Sequence, residues 1–99
     1  SGTVRYMSPE SFGKAISGPQ QDIYALGLTY CEWLLGKHPF EDGIPLNRLQ
    51  YSFKLSGIKT RLRAALDSVE IVDLLLKMIH FSPSKRPSAK EIVSILGAS

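Results

Sequence analysis

The side chains able to do chemistry are few and scattered. The two histidines, His38 and His80, have no Cys, Asp or second His at ligand spacing, so the pattern holds no metal site and His38 reads as a loop contact. Ser8 is followed by Pro9 and no Gly-x-Ser-x-Gly elbow occurs, so no nucleophile stands beside a base and hydrolase chemistry is excluded. The one cysteine, Cys31, sits among apolar residues and reads as a buried small hydrophobe, which fits a reducing compartment. By type alone Glu10 and Arg86 are surface charges, Thr3 is a loop hydroxyl, and Asp22 is an acid favoured by the dipole at a helix start.

The elements that must position these residues lie between turn signals at Gly18-Pro19, Gly36 to Pro39, Asp42 to Pro45, Ser56-Gly57 and Ser82-Pro83. Four helical segments are predicted, and no segment shows sustained strand alternation. The first, Gln21 to Leu35, is apolar nearly all round, its charges being Asp22 and Glu32. A helix with no water-facing stripe belongs at the centre of a protein, and three short partners would struggle to cover it. Tyr24, Tyr30 and Trp33 on this helix read as core residues. The second segment, Leu46 to Leu55, places Leu46, Leu49 and Phe53 on one line, with Tyr51 and Leu55 off it, and reads as an amphipathic surface helix.

The third segment, Ser68 to His80, is predicted to start from Asp67 as cap, with Glu70 three positions on. Its Val69, Val72, Leu75, Leu76 and Ile79 line one face, widened by Ile71, Leu74 and Met78. The fourth, Ala89 to Leu96, follows Ser88 with Glu91 three on, a second capping box, and Gly97 ends it.

At 99 residues the chain is one small domain or part of a larger one. Apolar residues make up 43% and charged residues 21%, an ordinary globular composition. The longest uncharged run, Ile23 to Cys31, is far short of the roughly 20 residues that cross a bilayer, and no signal-peptide pattern opens the chain. No membrane role is expected, and the location is read as cytoplasmic, with the nucleus as the alternative. Net charge is +3, with a denser basic stretch at Lys54, Lys59, Arg61 and Arg63 that reads as a solvated face and leaves an acidic partner open. Nucleic acid is disfavoured, because no aromatic residues interleave these cations and no zinc, helix-turn-helix or RNA-motif spacing is present.

Four motifs stand in register: Gly2-Thr3-Val4-Arg5-Tyr6-Met7-Ser8-Pro9-Glu10, then Asp22-Ile23-Tyr24-Ala25-Leu26-Gly27, then Gly36-Lys37-His38-Pro39-Phe40, then Phe81-Ser82-Pro83-Ser84-Lys85-Arg86-Pro87-Ser88-Ala89-Lys90-Glu91-Ile92. Their order and spacing resemble the eukaryotic-type protein kinase family, over essentially the whole chain. Ser8-Pro9-Glu10 is similar to the family's Ala-Pro-Glu, and Ser82 stands where many kinases carry Asp. A Ser hydroxyl there is expected to act as a turn or cap acceptor, less strongly than Asp. Gly2-Thr3 ahead of Tyr6 resembles the Ser/Thr rather than the tyrosine kinases. The wording of the first two motifs is similar to kinases of the translation-initiation-factor or MAP-kinase-kinase type.

The resemblance implies a mainly α fold, the helical C-terminal part of the kinase large lobe. Residues 1–12 are then the end of the activation segment and the substrate-facing loop, 21–35 the central buried helix, and 46–99 the C-terminal helices. It implies that Gly2, Thr3 and Tyr6 position substrate, Thr3 beside the catalytic aspartate and Gly2 to Ser8 as the wall receiving the residue after the phosphorylated one. It pairs Glu10 with Arg86 in a buried ion pair, where a planar guanidinium meets a carboxylate through two parallel hydrogen bonds. It makes Asp22 the anchor of a catalytic loop that this chain does not contain.

The Gly-rich loop, strand lysine, His-Arg-Asp loop and Asp-Phe-Gly magnesium site of a kinase are all missing from residues 1–99. No catalytic residue is therefore expected in this chain. ATP and Mg belong to the full domain, none bound by the chain alone, and its partners are a protein substrate and the remainder of the kinase domain. Three functions compete. The first is the inactive substrate-side scaffold of a Ser/Thr kinase; the second a pseudokinase-like or kinase-derived module that docks a protein on residues 46–63; the third a self-standing helical domain.

Overall fold

A computed structural model describes residues 6–11, 18–41, 43, 45 and 47–98. Its order is a 3-10 turn at Pro9–Ser11, α1 at Pro19–Leu35, α2 at Arg48–Ala65, α3 at Val69–Met78, a second 3-10 turn at Pro83–Lys85, and α4 at Ala89–Ala98. There is no strand among the described residues, as expected for the helical part of the lobe.

Helix α1 begins two residues before the predicted start because Pro19 takes the first helical position, where its missing N–H leaves no bond unmade. It ends where Gly36, at φ 79°, adopts the left-handed conformation and donates its N–H to the Glu32 carbonyl at 2.8 Å. One face, Ile23, Tyr24, Gly27, Leu28 and Cys31, is buried against α2 and α3. Gly27 is required by that contact: a Cβ there would lie 2.8 Å from Met78 Cβ and 3.0 Å from Ile79 Cγ2. The opposite face, Leu26, Tyr30 and Trp33, is exposed, Trp33 at 76%. Tyr30 and Trp33, expected in the core, are thus corrected to the outer side, where their rings meet edge to face at 5.9 Å. Only Tyr24 of the three is buried.

Helix α2 runs ten residues past its predicted end, straight through Ser56-Gly57, which had read as a turn. The glycine costs about 1 kcal/mol of helix propensity. Burial of Ile58 and Leu62, in line with Tyr51, outweighs that. This buried line also corrects the expected apolar face: Leu49 and Phe53 are 81% and 85% exposed, while Leu46 lies outside the described residues. Asn47 caps the start by accepting from the Gln50 N–H at 2.9 Å.

Helix α3 is capped by Ser68 rather than Asp67; the Ser68 hydroxyl accepts from Ile71 N at 3.3 Å, which moves the start one residue on. Val72, Leu74, Leu75, Met78 and Ile79 complete the core between α1, α2 and α4. The Ser88–Glu91 capping box forms in both directions, each bond 3.1 Å. Gly97 does not end α4, which continues to Ala98.

Candidate functional site

Residues 6–11 run antiparallel along α1 and are pinned at both ends. Near the C-terminal end of the helix, the Tyr6 hydroxyl donates to Glu32 Oε1. The Tyr6 ring lies 5.4 Å from that of His38, and His38 is buried with its Nδ1 accepting from Phe40 N at 3.0 Å. Near the N-terminal end, Gln21 Nε2 donates to Glu10 Oε2 at 2.8 Å. Gln21 and Glu32 are about 16 Å apart along the helix axis at the usual rise.

Between these ends the chain turns. Ser11 N donates to Ser8 O at 3.0 Å, and the two buried hydroxyls share a 2.8 Å hydrogen bond. A serine before Pro9 is accommodated because Ser11 supplies the partner that a buried hydroxyl needs.

The turn delivers Glu10 to Arg86. Arg86 Nη1 donates to Glu10 Oε2 at 2.6 Å and Nη2 to Oε1 at 2.8 Å, a two-pronged contact. The remaining donor capacity is taken by backbone carbonyls: Nε by His80 O at 2.8 Å, Nη1 also by Gln20 O at 3.1 Å, and Nη2 by Phe81 O at 3.4 Å. The guanidinium stacks 4.7 Å from the centre of the Tyr24 ring. Its side chain is fully enclosed, while 20% of Glu10 remains exposed. One guanidinium therefore ties together the 6–11 segment, the start of α1 and the connection from α3 to α4.

The electrostatics follow from this enclosure. Partial burial pushes the Glu10 carboxyl up, but hydrogen bonds from Arg86, the backbone and Gln21, with the charge of Arg86, outweigh it and hold the pKa at about 2. Burial drives the Tyr24 phenol up, against the nearby Arg86 charge, and its hydroxyl has no partner among the described residues. Burial also pushes the Cys31 thiol up to about 12, which leaves it an inert core residue. The His80 pKa is lowered by burial and then by the charges of Lys85, Arg48 and Arg86. Its Nδ1 accepts from Ser82 N at 3.0 Å, as a neutral ring can. The Ser82 hydroxyl, expected as a turn or cap acceptor, makes no cap and has no partner among the described residues; the loop is held instead by His80 and Arg86.

Asp22 is exposed on the first turn of α1 and accepts no side-chain hydrogen bond among the described residues. It lines a cleft of about 450 Å³ between that turn and residues 83–91. Gly2 and Thr3 lie outside the described residues. Glu10 and Arg86 are thus brought together, Tyr6 is placed at the far end of α1, and Asp22 shares the cleft that Arg86 lines without bonding to it among the described residues. Sequence reasoning passed over Glu32 as a mere charge on α1 and left His38 without a named partner. Neither residue carried a spacing signal, because their contacts with Tyr6 arise only when the 6–11 segment folds back along the helix.

The model of the protein kinase domain matches residues 1–95. An Aurora kinase from Candida albicans is 34% identical over 93 residues, covering 94% of this chain and 17% of that protein. Serine/threonine-protein kinase 40 from Xenopus tropicalis is 31% identical over 104 residues, 98% of this chain and 22% of that protein. The L-type lectin-domain containing receptor kinase S.1 from Arabidopsis thaliana is 29% identical over 108 residues, 96% of this chain and 16% of that protein. The chain spans less than a quarter of the length of these relatives. With the match running through the 6–11 segment, the apolar α1 and the Arg86 connection alike, the chain belongs to the protein kinase domain family, as the helical part of its large lobe.

Proposed function

We propose that the chain is the substrate-side scaffold of a Ser/Thr protein kinase, the part that holds the loop facing substrate and does not transfer phosphate alone. The observation that supports this best is the Arg86 clamp. It fixes the segment that follows Gly2 and Thr3 against α1, and Tyr6 braces the same segment on Glu32. A loop that runs into a fixed 6–11 segment can present a protein hydroxyl in a set direction, which in-line phosphoryl transfer needs. In this reading Gly2, Thr3 and Tyr6 position substrate, Glu10 and Arg86 are structural, and Asp22 anchors the catalytic loop of the remaining domain.

The residues present do not fit a magnesium–nucleotide site. The sequence has no Gly-rich phosphate loop, no strand lysine in its motif and no Asp-Phe-Gly magnesium site. ATP and Mg are accordingly assigned to the full domain. The bare face of α1, Leu26, Tyr30 and Trp33, is the surface such a remainder would cover.

The test compares residues 1–99 with the complete protein for transfer of labelled γ-phosphate to casein. Phosphoserine or phosphothreonine is expected with the complete protein and no turnover with residues 1–99. Turnover by the short chain overturns the scaffold assignment. A complete protein with no turnover selects the second reading, a kinase-derived binding module, which the exposed Leu49 and Phe53 of α2 favour.

A further inference from the structure

Helix α2 carries Arg48, Lys54, Lys59, Arg61 and Arg63 and not one carboxylate. The ion pairs among the described residues are Lys37–Glu41 and Glu10–Arg86, so no carboxylate partners these five cations there. Successive helical residues turn by about 100°. That rotation sets Leu49, Phe53, Thr60 and Ala64 on one strip, opposite the buried Tyr51, Ile58 and Leu62. Lys54 and Arg61 flank the strip on one side and Lys59 and Arg63 on the other, while Arg48 is turned onto the Phe81 ring.

All four strip residues are exposed, and Thr60 turns its hydroxyl back onto Ser56 O at 3.0 Å, which makes the strip apolar in effect. Beside it opens a groove of about 490 Å³, apolar along Pro39, Phe40 and Phe53 and polar along Ser52, Ser56 and Arg61. Arg61 is held toward the groove by a 3.5 Å contact from Nη2 to Pro39 O.

We infer that this face docks an acidic segment of a protein partner, its carboxylates on the flanking cations and one apolar side chain in the groove beside Phe53. Cations on both sides of an apolar strip, with no carboxylate paired to them among the described residues, are complementary to a segment of acids around an apolar anchor. A concave pocket with an aromatic wall receives a single side chain, whereas a bilayer meets a convex face and gains little from two large apolar residues. The inference deepens the docking that the second reading draws from Leu49 and Phe53 by naming its occupant, and it stands whether or not the protein transfers phosphate.

The test is fluorescence anisotropy on the complete protein with a fluorescein-labelled peptide of glutamates around one central phenylalanine. Saturable binding is expected, weakening as salt rises. The pairs Leu49→Ser with Phe53→Ser, and Lys54→Glu with Lys59→Glu, should each weaken it about 10-fold with the melting temperature unchanged. An all-glutamate peptide should bind weakly. Equal binding of the two peptides, wild-type affinity in either variant, or binding to phosphatidylserine vesicles in place of the peptide would overturn the inference.

Discussion

Replacing Arg86 by alanine in the complete protein removes more than one ion pair. Two charge-assisted bonds to Glu10 vanish, together with the bonds to the His80, Gln20 and Phe81 carbonyls and the stack on Tyr24. The Glu10 carboxylate, four-fifths covered, is left facing a space it cannot hydrate fully. Stranding one member of an enclosed pair costs about 3–5 kcal/mol, a large part of the ~5–15 kcal/mol that holds a domain together. Arg48→Ala is the control. That guanidinium lies exposed over the face of Phe81, at 5.5 Å, and its loss should cost about 0.5–1 kcal/mol. Arg86→Lys keeps the charge without the planar fork and should fall between the two. Urea melts followed by circular dichroism read all three. Equal and small losses for Arg86→Ala and Arg48→Ala, each under about 1 kcal/mol, would refute the claim that one guanidinium locks the three segments together.

The same pair makes stability depend on pH. Glu10 is held at about 2 in the fold against 4.5 for the free group, so its contribution is full above 4.5 and is lost as pH falls toward 2. Glu10→Gln should therefore be clearly less stable than wild type at pH 6 and nearly level with it at pH 2, read as urea midpoints; a gap independent of pH contradicts this. Two glycines of the helices should respond in opposite directions to alanine. Gly27→Ala drives a Cβ into Met78 and Ile79 and should lose about 1–3 kcal/mol despite better helix propensity. Gly57→Ala, with nothing within 4 Å, should gain up to about 1 kcal/mol. Thermal melts of the two variants moving in the same direction would contradict the packing described for α1 on α3.

The existence of four helices was legible because periodicity and capping are local. Ser88 and Glu91 sit three residues apart and bond each other wherever that turn forms. Where two local signals competed, the choice between them was not local. Asp67 and Ser68 both suit a cap, and the register of α3 against the core selected Ser68. Gly57 is a legitimate turn residue, and only the burial of Ile58 and Leu62 beyond it carries α2 through.

By itself the sequence determined that the chain is helical, that α1 is apolar on nearly every side, and that its motifs follow the order of a protein kinase. Which side of each helix faces the core was decided only in three dimensions. Leu49 and Phe53 are as apolar as Tyr51 and Ile58, and the difference lies in what α1 and α3 leave room for. The union of Glu10 with Arg86, 76 positions apart, is of the same kind. Residue type leaves them two surface charges, and the packing of α1 between their segments turns them into one enclosed contact, because a guanidinium taken from water must find its acceptors within the fold.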